Sequence, residues 1–276
     1  MRSLLFVPGV SEKMMLKARD TEADALILDL EDAVSPDRKA EARQTVMRML
    51  GETDFGAKPV FVRINRLAEG FSEEDARAVA ASRAFGAVMP KVDRPEEVVA
   101  VAKLLASHQR LICMIESPRG VLNCPAIAEA SSMIYGLMFG SADFSTATRA
   151  RLTEGEPELL VARSRMLYSA RAAGIEAYDA PYFSIPDLEG LRKDSERARN
   201  LGYDGRAIIH PSHIAAVNEV FAPSEAEIAQ ARKIVAAMNE ALDRGLAAVQ
   251  FEGQLIEPLH ARAAQRILDV AEKFKK

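Results

Sequence analysis

Short apolar runs in this chain repeatedly end on residues able to do acid, base or metal chemistry. Asp29-Leu30-Glu31-Asp32, Arg63-Ile64-Asn65, Pro90-Lys91, Glu116-Ser117, Gly140-Ser141-Ala142-Asp143, Asp179-Ala180-Pro181 and His210-Pro211 each follow such a run. A hard cation such as Mg²⁺ takes one or two protein carboxylates and fills its other positions with water or substrate oxygens. Glu116 and Asp143 follow consecutive runs, so both side chains can converge on one ion. Each acid taken singly is as well explained by an ion pair with a neighbouring Arg or Lys. Two acids on adjacent strands beside Arg63 favour a site. The guanidinium of Arg63 suits the two-pronged grip of an anionic substrate's carboxylate. Lys13 either reaches a second anionic group or is a solvated helix residue, and composition favours the solvated role. The four histidines, His108, His210, His213 and His260, form no zinc triad. His210 and His213 are three residues apart, but His210-Pro211 reads as the end of a strand and the start of a helix.

These groups need a scaffold that brings strand ends together. Apolar runs at Leu4–Val7, Ala25–Leu30, Val60–Ile64, Ala87–Pro90, Leu111–Ile115, Met133–Phe139, Ile175–Tyr178 and Arg206–Ile209 read as strands. Between them lie segments of helical period, including Glu12–Arg19, Arg38–Leu50, Glu73–Arg83, Pro95–Ala106, Pro157–Ala173 and Leu188–Asn200. Pro59, Pro95 and Pro157 stand at element starts, and Gly51, Gly174 and Gly202 just after helical stretches. Eight strands alternating with helices predict an α/β fold, a parallel (β/α)₈ TIM barrel, with the ionisable rim at its C-terminal mouth. The rival open sheet lacks its usual Gly-x-Gly-x-x-Gly turn. Residues 1–222 are expected to form the barrel and residues 223–276 a C-terminal helical extension. Ser224 and Glu227 open its first helix as a capping box, and Phe251, Leu255 and Ile256 are apolar residues for packing on the barrel or on another subunit.

Composition excludes several classes. The chain has 276 residues, 49% hydrophobic and 28% charged, with a formal net charge of −4, which gives no footprint for nucleic acid. Arg149, Arg151, Arg163 and Arg165 are either helix-surface charge or a place for a nucleotide phosphate. No apolar run is long enough to span a membrane, and the stretch after Met1-Arg2 lacks the core of a signal peptide. Cys113 and Cys124 suggest neither a disulfide framework nor a metal site, and Met133, Met138 and Met166 read as core filling. A cytoplasmic protein is expected.

The rim motifs also resemble a known family. Leu5-Phe6-Val7-Pro8-Gly9, Asp29-Leu30-Glu31-Asp32-Ala33-Val34, Val62-Arg63-Ile64-Asn65, Met89-Pro90-Lys91, Glu116-Ser117-Pro118-Arg119-Gly120-Val121, Gly140-Ser141-Ala142-Asp143-Phe144 and Gly202–Pro211 resemble the citrate lyase β-subunit-like proteins, grouped with malyl-CoA and citramalyl-CoA lyases. The resemblance runs from Arg2 to about Phe221 and more weakly through the tail. It implies a Mg²⁺-dependent enzyme that splits a 3-hydroxyacyl-CoA into an acyl-CoA and a small 2-oxo acid. It makes Glu116 and Asp143 metal ligands, and places Phe6, Lys13 and Arg63 at the acyl or keto-acid end of the substrate. Asp29 and Glu31 would orient water or Lys13 at the rim. A homotrimer or hexamer is implied, with the tail of one subunit closing the site of the next. The family's tail aspartate, its acid/base at the α-carbon, corresponds to or neighbours Glu257, in Gly253-Gln254-Leu255-Ile256-Glu257-Pro258-Leu259-His260. The glutamate is one methylene longer, and the loop Phe144–Thr148 also departs from the family's acidic-apolar pattern. A citrate lyase β subunit, a malyl-CoA thioesterase and a non-catalytic assembly protein are the alternatives.

Overall fold

The computed structural model describes residues 1–274. Eight parallel strands close into a barrel in chain order: β1 (Ser3–Pro8), β2 (Ala25–Asp29), β3 (Val60–Arg63), β4 (Gly86–Met89), β5 (Arg110–Ile115), β6 (Ile134–Phe139), β7 (Glu176–Asp179) and β8 (Gly205–Ile208). Closure is made by β1 against β8, with Ser3 opposite Arg206 and Leu5 opposite Ile208. The expected TIM barrel is therefore the observed one. Its strands read as nearly unbroken apolar runs because both faces are covered. Leu4, Ala25, Ile27, Phe61, Val88, Ile112, Met114, Met138, Tyr178 and Ala207 fill the interior. Phe61, Phe85 and Tyr135 pack edge-on near the N-terminal end, with centroids 5.1 Å and 5.9 Å apart for the two closer pairs.

Helices α1 (Glu12–Arg19), α2 (Lys39–Glu52), α3 (Ser72–Ala80), α4 (Pro95–Ala102), α5 (Pro118–Ala128), α6 (Ser141–Thr148), α7 (Leu160–Ala172), α8 (Leu188–Leu201) and α9 (Ile214–Phe221) lie between or after the strands. Their starts are set by local chemistry. Ser11, Ser117 and Asp187 each accept a backbone N–H from the first turn of α1, α5 and α8. Cys113 and Cys124 are buried and unpaired; Met138 and Met166 are fully buried, as core filling requires, while Met133 is half-buried.

The chain divides into two compact units, Met1–Asn218 and Glu219–Lys276. The second holds α10 (Glu225–Asp243), a hairpin of β9 (Val249–Phe251) and β10 (Gln254–Ile256), and α11 (Pro258–Lys273). Ser224 and Glu227 do form a capping box on α10. The hairpin lies between the two helices of this extension: Glu252 and Gly253 both have positive φ, +48° and +79°, which suits a tight two-residue turn between strands. Phe251 and Ile256 pack within this unit, against a core of Met238 and Ala241, while Leu255 stays exposed. No helix among the described residues is long and apolar enough to cross a membrane.

Candidate functional site: an acidic pocket at the barrel mouth

Period-two geometry decides which strand-end residues face the lumen. Asp29 follows inward Ile27, Arg63 follows Phe61, Glu116 follows Met114 and Gly140 follows Met138, so these four form the layer above the apolar interior. They line a mouth cavity of about 400 Å³ together with Phe6, Asp32 and Asp143, and with apolar walls that include Met114, Phe183 and Ile209. All of its lining residues belong to the first unit.

The acids on the β2 side are already paired. Asp29 Oδ1 accepts from the Glu31 N–H (2.9 Å) and Arg63 Nε (2.7 Å), and Oδ2 from the Ala33 N–H (3.2 Å) and Arg63 Nη2 (2.5 Å). Arg63 Nη1 lies 2.8 Å from Glu31 Oε2, and the guanidinium carbon sits 4.8 Å from the centroid of the Phe6 ring. Lys91 Nζ lies 2.5 Å from Glu31 Oε1 and 3.2 Å from Asp32 Oδ1. Buried Lys39, at the start of α2, donates to the Leu30 and Glu31 carbonyls and holds this loop in place. Burial raises the Glu31 pKa against the pull of Arg63 and Lys91. For Asp32 burial acts in the same upward direction, but Arg63 and Lys91 outweigh it and the pKa falls.

The other side is under-compensated. Glu116 is only 3% exposed, and its Oε1 accepts one hydrogen bond, from the Lys91 N–H at 3.0 Å. Its pKa is pushed up to about 8, first by burial and then by the charges of Glu31 and Asp143, against that hydrogen bond. Asp143, in the first turn of α6, is half-buried and lines the same cavity. Among the described residues, the ion pairs of Asp29, Glu31 and Asp32 are with Arg63 and Lys91, and Glu116 and Asp143 have none. A buried carboxyl whose charged form is disfavoured, beside a half-buried one, fits a hard divalent ion that would offset their charge. Among the described residues no three His, Cys, Asp or Glu side chains cluster as a metal cage. An ion that keeps several waters needs only the two.

Of the residues singled out from sequence, Phe6, Asp29, Arg63, Glu116 and Asp143 meet at this cavity. Two do not. Lys13 is an exposed residue of α1 and is not among those lining the mouth, because the helix turns it to solvent. Glu257 belongs to the second unit, where it is exposed and caps α11; its own N–H donates to His260 Nδ1 at 3.1 Å. Two of the residues at the mouth are already paired. Asp29 has its carboxylate oxygens filled by four hydrogen bonds, two of them from Arg63. Arg63, expected to grip a substrate carboxylate, is 8% exposed, lines the cavity and holds Asp29 and Glu31.

Arg163 is buried, whereas Arg165 is exposed, as helix-surface charge would be. Arg163 pairs with Glu156 and Asp179, and Arg165 donates to the Val121 and Leu122 carbonyls of α5; Arg149 and Arg151 are exposed. His213 is buried with Nε2 3.1 Å from the Ile185 carbonyl, and His210, with Nδ1 2.7 Å from Ser212 Oγ, caps the short 3₁₀ turn that follows it. Sequence reasoning did not single out Arg206, a fully buried cation on β8. It donates to the Ala180 carbonyl, Ser195 Oγ and Asp194, tying the β7 end to α8. Its one sequence signal is a charge inside an otherwise apolar strand.

A closed parallel barrel with an acid-lined C-terminal mouth defines a TIM-barrel protein of the kind whose chemistry sits at that face. The chain belongs to the HpcH/HpaI aldolase/citrate lyase family, whose model matches residues 2–211. A second model, for the carbon–carbon bond lyases of the TIM-barrel fold, matches residues 161–275. The chain is 36% identical to a (3S)-malyl-CoA thioesterase of Cereibacter sphaeroides, over 98% of this chain and 94% of that one. It is 33% identical to the citrate lyase subunit beta of Leuconostoc mesenteroides subsp. cremoris, over 98% and 93% of the two chains. The crystal structure of the CitE protein from Mycobacterium tuberculosis in complex with magnesium, acetoacetate and coenzyme A superposes with a TM-score of 0.82, at 28% identity over 98% of both chains.

Proposed function

We propose that the chain is a Mg²⁺-dependent carbon–carbon lyase that splits a 3-hydroxyacyl-CoA, such as (3S)-citramalyl-CoA or malyl-CoA, into acetyl-CoA and pyruvate or glyoxylate. The observation that carries this reading is Glu116, a buried carboxyl beside Asp143 with a single hydrogen bond and too few cations around it. Mg²⁺ held by Glu116 and Asp143 would supply Lewis-acid stabilisation where negative charge builds on oxygen. Arg63, fixed by Asp29 and laid over Phe6, adds a positive potential at the same end of the substrate. Phe6, Met114 and Ile209 shield the keto-acid end from water. Glu257 would return a proton to the α-carbon, the role that the resemblance gives to the tail acid.

The test is a cleavage assay across malyl-CoA, citramalyl-CoA and citryl-CoA, with the 2-oxo acid and the CoA species both measured. Keto acid together with acetyl-CoA supports the lyase. Free CoA in place of acetyl-CoA points to thioester hydrolysis, the activity in the name of the 36%-identical relative. Full Mg²⁺-dependent turnover by Glu116→Gln refutes the metal assignment. We further propose a homotrimer or hexamer in which residues 223–276 of one copy close the mouth of the next. Glu116→Gln and Glu257→Ala chains, each inactive alone, should then regain activity when co-assembled; two inactive chains that stay inactive together refute the shared site.

A further inference from the structure

Four non-glycine residues among those described have positive φ: Lys91, Arg149, Glu156 and Glu252. Three have local reasons. Arg149 is the C-cap of α6, Glu156 precedes a short 3₁₀ turn, and Glu252 sits in the hairpin turn. Lys91 alone follows a barrel strand, at φ +49°, in a conformation that costs an L-residue with a Cβ roughly 1–2 kcal/mol. Strain of this kind persists only where surrounding contacts impose it.

Those contacts are visible at both ends of the residue. Its Nζ is held by Glu31 (2.5 Å) and Asp32 (3.2 Å), and Glu31 is itself 1% exposed and pinned by Arg63. Its N–H donates to Glu116 Oε1 at 3.0 Å. On the other side of Glu116 is Gly140, where a Cβ would stand 2.8 Å from Oε2. The carboxylate is thus held between a backbone donor and a gap left by a missing side chain.

We propose that Lys91 is a positioning residue: its ion pairs with Glu31 and Asp32 hold its own backbone in the left-handed conformation, which aims its N–H at Glu116 and fixes that carboxylate. The side chain acts on the metal site through the main chain. A purely electrostatic lysine would behave differently, because its removal would make the mouth more negative and tighten Mg²⁺ binding whatever residue replaced it. Glycine separates the two roles, since it lacks the charge yet adopts positive φ freely.

The inference rests on the reading of Glu116 as a metal ligand, so two measurements are needed. The first is Mg²⁺ affinity without substrate, by calorimetry, for wild type, Lys91→Gly, Lys91→Ala and Lys91→Met. The second is amide hydrogen exchange at position 91 by NMR in the metal-free proteins. Lys91→Gly should bind Mg²⁺ within about threefold of wild type and keep a protected amide. Lys91→Ala and Lys91→Met should bind about tenfold more weakly and lose that protection, as expected from the strain that the ion pairs no longer offset. Equal or tighter binding by all three variants overturns the proposal, as does an amide in Lys91→Ala that stays as protected as in wild type. Wild type that binds no Mg²⁺ while the exchange pattern holds overturns the metal reading and supports the backbone role of Lys91.

Discussion

Replacing Gly140 by alanine tests the mouth geometry with one methyl group. Gly140 has φ −113° and ψ 90°, so its backbone does not require glycine. The demand is for space: an added Cβ would lie 2.5 Å from Glu116 Cγ and 2.8 Å from its Cδ and Oε2. Carbon atoms pack comfortably at about 3.5–4.0 Å, so the Glu116 side chain must retreat by roughly 1 Å. It has little room, being 3% exposed with Oε1 held by the Lys91 N–H. Overpacking of this kind costs about 1–3 kcal/mol. At about 2–4 °C per kcal/mol for a chain of this size, Tm should fall by roughly 2–12 °C. Mg²⁺ demands oxygens near 2.0–2.1 Å, and a displacement of about 1 Å can lower a rate by about 10²-fold. Mg²⁺ affinity should therefore fall by at least about tenfold and kcat by about a hundredfold. Gly51→Ala, in α2 with nothing within 4 Å of its added Cβ, is the control and should leave Mg²⁺ binding unchanged while holding or raising Tm. Calorimetric titration with Mg²⁺, thermal unfolding and the cleavage assay read the three effects. Wild-type Mg²⁺ affinity and turnover in Gly140→Ala would refute the placement of Glu116 at the metal.

Three further changes, with one surface control, probe the charges around and behind the mouth. Arg63→Met strands Asp29 and Glu31 without their buried cation and should cost about 3–5 kcal/mol in urea unfolding, whereas Arg38→Ala, which breaks an exposed pair with Glu41, should cost under about 1 kcal/mol. Equal costs would show that the Arg63 network does not hold the mouth. Arg206→Met, which leaves Asp194 without its buried partner and frees the Ala180 carbonyl, should destabilise by a similar 3–5 kcal/mol; a loss under about 1 kcal/mol would contradict the clamp between β7 and α8. His213 has its pKa lowered, by burial first and then by His210 and Arg206, against the Ile185 carbonyl that raises it. A folded pKa below the unfolded value of about 6.5 means that stability is intact above that pH and is lost as pH falls through it towards the folded value, by at most about 1.4 kcal/mol per pH unit. His213→Asn should flatten the fall in stability below pH 6.5, and an unchanged slope would exclude this group as its source.

The barrel was legible because strands covered on both faces must be apolar throughout, so the first polar residue after each run marks the mouth. Period two then selects which of those residues look inward, and it brings Asp29, Arg63 and Glu116 to one layer without any knowledge of contacts. What the pattern cannot supply is how charges are shared once they meet. Asp29, Glu31 and Glu116 look alike as strand-end acids, yet four hydrogen bonds fill Asp29, Glu31 bridges Arg63 and Lys91, and Glu116 has one donor. Helices α5 and α6 carry weak local signals, one with Pro125 inside it and the other built as Ser-Ala-Asp-Phe-Ser-Thr-Ala-Thr, but α6 is the element that sets Asp143 at the mouth. Arg163 had the look of surface charge until Glu156 and Asp179 closed around it. The left-handed backbone of Lys91 leaves no trace in composition or spacing at all, since lysine is not a residue that favours it. The residue types at the mouth are thus readable from the sequence, while the assignment of each acid to scaffold or to metal depends on pairings between β2, β3, β4 and β5 that exist only after the barrel closes. That is why an acid poised for a cation can be told from its satisfied neighbours only by counting donors around each oxygen.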